Sequence, residues 1–310
     1  MAIKAKKKIV LCKVETTKGV DATPDVANDA MLALNVNVTP LNARYIERNA
    51  AVPFFGHNGQ INVGETMQIE FDVEMTGAGA VDSAPGYGAA LIGCCMSETI
   101  TPTNGPVTYA LISDNEKTAT IYFYYEDQLH KMRGAFGSAE FRIQAPNVPL
   151  IHFTFEGIYA GIATSSPGTP DLSAFLDGLA ATQANTTFTL HGYSAILESM
   201  TLTQGNVLPY RNRPGSNAMH FTDRQSVGSV TIELPKIATK GFIEICKSGT
   251  LGTMSLVHGT VAGQKALLDS TNVQLTNPRY TETDNIVLLT MNMNMRYSTA
   301  GNDEWTFKTQ

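Results

Sequence analysis

The chain has 310 residues, 43% hydrophobic but only 16% charged, against the ~25% charged usual for a soluble globular protein. Its length suits two ordinary domains or one large β domain, and a surface thin in charge suits contact with other protein. The net charge of −6 is uneven: residues 1–13 hold five of the 22 basic side chains and no acid, which leaves 17 against 28 acids elsewhere, a balance of −11 that argues against a dedicated grip on nucleic acid.

The N-terminal segment carries Lys4, Lys6, Lys7, Lys8 and Lys13 around one short apolar run, Ile9-Val10-Leu11. A basic start with three apolar residues is no signal peptide, and no run approaches the ~18–20 apolar residues of a membrane span. The segment reads as an arm that docks on acidic protein, with lysines for charge and Ile9, Val10 and Leu11 as the apolar anchor. The plainer alternative is a solvated tail.

Thr66 to Met75 alternates strictly: Met67, Ile69, Phe71, Val73 and Met75 point one way, Gln68, Glu70, Asp72 and Glu74 the other. That period of two predicts an antiparallel strand with one face on a core and one wet. Ala84 to Met96, small and apolar behind Pro85, predicts a short helix. Strands are predicted at 118–125, 138–144 and 149–157, the last with Ile151, Phe153 and Phe155 against His152, Thr154 and Glu156. Residues 162–183 break the pattern, first with loop chemistry, then with a predicted helix from Asp171 to Ala181.

The second half repeats this succession. Ser229 to Leu234 alternates, Lys236 to Lys247 predicts an amphipathic helix, and strands are predicted at 252–258 and 264–268. Ile286 to Arg296 then sets Leu289, Met291, Met293 and Met295 opposite Thr290, Asn292, Asn294 and Arg296. Gly64–Glu70 aligns beside Gly228–Glu233, and Arg133–Gly137 beside His258–Gly263. The expectation is a mainly β chain built by tandem duplication: a first domain with its arm at 1–161, a connector at 162–183 and a second domain at 184–310.

Motifs for catalysis are missing: there is no metalloprotease pair of histidines, phosphate loop, nucleophile elbow or dinucleotide glycine pattern. The histidines never fall at ligand spacing, and Cys12, Cys94, Cys95 and Cys246 form no metal framework. Vicinal Cys94-Cys95 reads as packing, and the Met291/Met293/Met295 row as the core face of a strand. Asn185-Thr186-Thr187 fits a glycosylation acceptor but has no secretory context. Neither an enzyme nor a cofactor or metal site is expected.

Taken in order, several of these stretches are similar to long-tailed phage major tail tube proteins. They are Val63–Gly79, the small-residue helix around Gly88–Cys95, Thr118–Tyr125 through Gly134–Ala139, and Phe153–Gly161. The resemblance covers residues 15–161 well and 190–310 more loosely. It implies β-sandwich or barrel-like sheets with short flanking helices, stacked as rings around a DNA channel in the virion tail, after assembly in the host cytoplasm. A duplicated member would close a pseudo-sixfold ring as a homotrimer.

The resemblance also implies tail terminator, tape measure and distal tail proteins as partners, with DNA passing unbound and no membrane involved. On this reading Gln68, Glu70, Asp72, Glu74, His152, Thr154 and Glu156 line the channel in the first half, with Thr231, Glu233, Asn292 and Asn294 in the second. Lys4, Lys6, Lys7 and Lys8 would meet acids of the neighbouring ring. The alternative is a two-domain β binding module of the tail tip that recognises a receptor or carbohydrate. A single tryptophan, Trp305, offers that alternative little aromatic platform.

Overall fold

A computed structural model describes residues 3–310. The first half runs β1 (Lys8–Val14), β2 (Ala30–Met31), β3 (Leu34–Glu47), β4 (Gln60–Glu74), α1 (Gly88–Gly93), β5 (Met96–Ile100), β6 (Val107–Leu111), β7 (Ala119–Tyr125), β8 (Gln128–Gln144) and β9 (Leu150–Thr164). The second runs β10 (Thr186–Leu190), β11 (Tyr193–Ser194), β12 (Leu197–Thr203), and four short strands β13 to β16 at Asn206–Val207, Tyr210–Arg213, Ser216–Met219 and Asp223–Arg224. It continues through β17 (Val227–Glu233), α2 (Phe242–Ser248), β18 (Leu251–His258), β19 (Ala266–Thr283), β20 (Ile286–Met295) and β21 (Thr306–Thr309). The protein is mainly β, with two short helices among the described residues.

Eight strands form one continuous antiparallel sheet in the order β3-β4-β9-β8-β12-β17-β20-β19. Two of them, β8 and β19, are long enough to serve a second layer as well. The N-terminal part of β8 takes β7, which takes β1 and then β2. The N-terminal part of β19 takes β18, which takes β10 and then β11. On its other edge β19 takes β21, which leads to β6 and β5 of the first half.

The halves are therefore stitched twice, by β12 on β8 and by β21 between β19 and β6. A single hydrophobic cluster runs through both, from Phe71, Phe153 and Phe155 to Met291, Met293 and Trp305. Phe141 sits at its middle, 5.4 Å from the Trp305 ring and 5.1 Å from Phe307. Each such ring, fully buried, contributes about 1.5–3 kcal/mol of transfer free energy.

β8 stays one strand because a bulge absorbs its bend. Gly134, at φ +58°, adopts a left-handed conformation that costs glycine nothing, and its N–H donates to Glu15 at 2.7 Å. Glu15 is itself buried and accepts from Gly19 N–H and from the hydroxyls of Thr118 and Thr120.

Several predicted elements differ. The expected strand at 138–144 is the end of β8, and that at 264–268 the start of β19. The helices are shorter than predicted: α1 begins only after Pro85-Gly86, and α2 only after Gly241, since Lys236 to Lys240 closes a turn instead. Asp171 to Ala181 is not a helix. Asp171 caps only a local turn, accepting from Ser173 N–H at 2.9 Å, and residues 175–181 are neither helix nor strand.

Gly178 lets this segment lie close to the sheet, since a Cβ there would stand 2.5 Å from Val148 Cγ1. The second aligned pair also fails: Arg133–Gly137 lies within β8, whereas most of His258–Gly263 is the loop after β18.

Candidate functional site

Residues directly opposite on neighbouring strands point to the same face, so the pairings define a surface. Gln68 lies opposite Glu156, Glu70 opposite Thr154, and Asp72 opposite His152, which lies opposite Glu140. Arg142 lies opposite Thr201, Thr201 opposite Ser229, Ser229 opposite Asn292, and Asn292 opposite Thr276. Thr231 and Thr290 share a hydroxyl hydrogen bond of 2.9 Å. The expected polar positions of both halves thus fall on one face of the eight-stranded sheet, opposite the buried row of Met67, Ile69, Phe71 and Val73.

This face is less wet than alternation suggests. Asp72 is buried, 5% exposed, within a cluster of its own. Its carboxylate contacts His152 Nδ1 at 2.6 Å, accepts from Asn35 Nδ2 at 2.8 Å, and lies 3.8 Å from the Arg142 guanidinium. Arg142 donates through Nε to Glu140 at 2.8 Å, and that carboxylate holds the guanidinium above its ordinary pKa. Glu74 accepts the Gly178 N–H at 2.7 Å, which ties the connector to the sheet.

Glu70 accepts from Gln68 at 2.9 Å and Glu156 from Thr66 at 2.9 Å, while Asn292 is exposed. The acids gather in the first half. The second half presents hydroxyls and amides, with Glu233 at the strand end. Sequence reasoning missed Asn35, Glu140 and Arg142, although the alternation of Glu140 and Arg142 around Phe141 was legible.

The N-terminal residues separate into two groups. Lys8, Ile9, Val10 and Leu11 belong to β1, paired with Tyr125 to Tyr122 of β7 in the same chain. Val10 and Leu11 are each 1% exposed. Their apolar surface is used up within their own subunit, not left to anchor an arm. Lys7 reaches Glu126 at 3.5 Å and Lys13 reaches Asp29 at 3.1 Å. Lys4 and Lys6 are exposed, with no ion pair among the described residues.

Among the described residues no group of three His, Cys, Asp or Glu is placed to hold a metal, and no helix is long and apolar enough to cross a membrane. Burial pushes the Cys12 and Cys95 thiols up to about 12 and Cys94 well above its usual range, which disfavours their thiolate forms. Trp305 is fully buried, its Nε1 donating to Ser226 at 3.0 Å, so it offers no stacking surface.

The phage tail tube protein family matches residues 5–295, a span that holds every strand of the eight-stranded sheet. The chain belongs to the phage tail tube family. No curated protein matches it. As a tail tube protein the chain is a structural component of the virion tail that assembles into a tube with other tail proteins.

Proposed function

We propose that three copies of this tail tube protein close into a ring, that rings stack, and that the polar face of the eight-stranded sheet lines the channel through which DNA leaves. The observation that carries this reading is the recurrence of one strand order. The first half pairs as β2-β1-β7-β8-β9-β4-β3 and the second as β11-β10-β18-β19-β20-β17-β12. Two equivalent units per chain would give sixfold-like walls from three chains. The polar face suits passage, because carboxylates, hydroxyls and amides dominate it and its guanidinium groups are few: Arg142 is held by Glu140, and Arg279 lies opposite Thr290. Such a wall has few cations to collect phosphates.

Stacking has a candidate in the long β3–β4 hairpin, whose tip exposes Phe54 at 71% and Phe55 fully. The exposed Lys4 and Lys6 add a basic edge that would favour an acidic neighbouring ring. Tail terminator, tape measure and distal tail proteins would meet the ends of this tube, assembled in the host cytoplasm. Native mass spectrometry of assembled rings tests the stoichiometry: three chains are expected, and six would overturn the duplicated-unit reading.

A further inference from the structure

The two halves can be equated residue by residue through their pairings. In the first, Phe141 lies opposite Ile151, which lies opposite Val73. In the second, Tyr280 lies opposite Leu289, which lies opposite Ile232. An independent marker confirms the phase. The bulge between Ala119–Ala135 and Ile121–Met132 recurs between Gly252–Val273 and Met254–Ser270, and the one residue by which Val273–Tyr280 exceeds Ala135–Phe141 is a second bulge of β19, between Thr276 and Arg279. Tyr280 therefore holds the place of Phe141, Arg279 that of Glu140, and Thr281 that of Arg142. By the same route Asn37, Val38 and Thr39 of β3 hold the places of Thr201, Leu202 and Thr203 of β12.

The equivalent positions differ in what covers them. Phe141 is fully buried where β12 pairs with β8, whereas Tyr280 is 63% exposed. Beyond Gln274, where β18 begins at Leu251, the far edge of β19 has no partner among the described residues. β3 has β4 on one edge and, among the described residues, no strand on the other, over 14 residues. Leu202 is fully buried, while its counterpart Val38 is partly exposed. Two long open edges on one molecule template pairing with another chain. Here the chain already contains the finished version of that contact, in β12 on β8.

We propose that β3 of a second copy pairs antiparallel with the open edge of β19, placing Asn37 opposite Thr281, Val38 opposite Tyr280 and Thr39 opposite Arg279. This rests on the ring reading and adds which edges meet, and in what register. Val38 and Tyr280 then cover each other on the core side, as Leu202 and Phe141 do within the chain. Asn37 and Thr39 extend the polar face, since they lie opposite Glu70 and Gln68. The contact is head to tail, β3 against β19, so it closes only by rotation about an axis.

Cysteines at Asn37 and Thr281, in a Cys246→Ser background, test the register. The matching pair Thr201→Cys with Arg142→Cys, opposite each other inside one chain, is the positive control for the chemistry. Oxidation of assembled rings should link chain to chain up to a closed trimer. Val38→Cys with Thr281→Cys should not link, because a shift of one residue turns the side chain to the other face. Tyr280→Lys alters an exposed residue, so the subunit should keep its circular dichroism yet lose ring formation. Rings that form but do not link, or that form normally with Tyr280→Lys, would overturn this edge assignment and leave the ring standing. A wild-type chain that never forms rings at high concentration would overturn both.

Discussion

The polar face can be recharged at two positions whose side chains make no hydrogen bond to the Asp72 cluster among the described residues, although the Glu70 charge acts on Arg142. Glu70 has only Gln68 as a hydrogen-bond partner and Asn292 is exposed, so Glu70→Lys with Asn292→Lys leaves the core untouched. Each chain's face shifts by +3, two from Glu70 and one from Asn292, or roughly +9 in a three-chain ring, against a duplex with one charge per ~1.7 Å. Each lysine that meets a phosphate adds about 0.9 to the slope of log affinity on log salt. About six such contacts per ring would change the hold on DNA by on the order of 10³-fold between ~50 and ~200 mM salt. Tubes should look unchanged by electron microscopy. Dye-detected DNA release from assembled particles should be slow at ~50 mM salt and recover at ~200 mM, where screening cuts the reach of each charge to below ~8 Å. Unchanged release at low salt would show that this face does not line the path. Lysines at Asp72 or Glu74 would be a poorer test, because both carboxylates hold the subunit together.

Asp72→Ala removes the buried carboxylate that His152, Asn35 and Arg142 share, two of which reach water, and should cost about 1–3 kcal/mol in denaturant unfolding of the subunit; a loss under ~0.5 kcal/mol would mean that water replaces the carboxylate. Deleting residues 2–7, which stops short of β1, should leave circular dichroism unchanged while making tubes shorter or salt-fragile, since exposed pairs of ~0–1 kcal/mol each act through repetition. Full-length, salt-resistant tubes from that truncation would make the lysines a solvated tail. Burial holds His130, His191 and His258 below the ordinary 6.5, so the unfolded chain takes up protons that the folded chain refuses. Their contribution to stability is therefore complete above pH 6.5 and is lost as the pH falls through their lowered pKa values. His258→Gln should flatten that dependence, and an unfolding midpoint with the same acid slope in variant and wild type would refute the assignment.

Period-two alternation made β4, β9, β17 and β20 legible from residue order, together with which side chains are buried and which form the polar face. That information is local: a strand's side chains alternate whatever lies beside it. The helix predicted from Asp171 to Ala181 does not form: the Phe175 ring instead packs against Gly86, and Gly178 sits against Val148 where a Cβ would not fit. The apolar run Ile9-Val10-Leu11 looked like an anchor for another molecule until β7 supplied its partner in the same chain. Only the tertiary structure decided that β12 covers β8, that β21 bridges β19 and β6, and that the edges of β3 and β19 stay open. Backbone hydrogen bonds between strands are nearly alike at every position, so residue order says that a strand needs a neighbour, while the packing of the whole chain chooses which one.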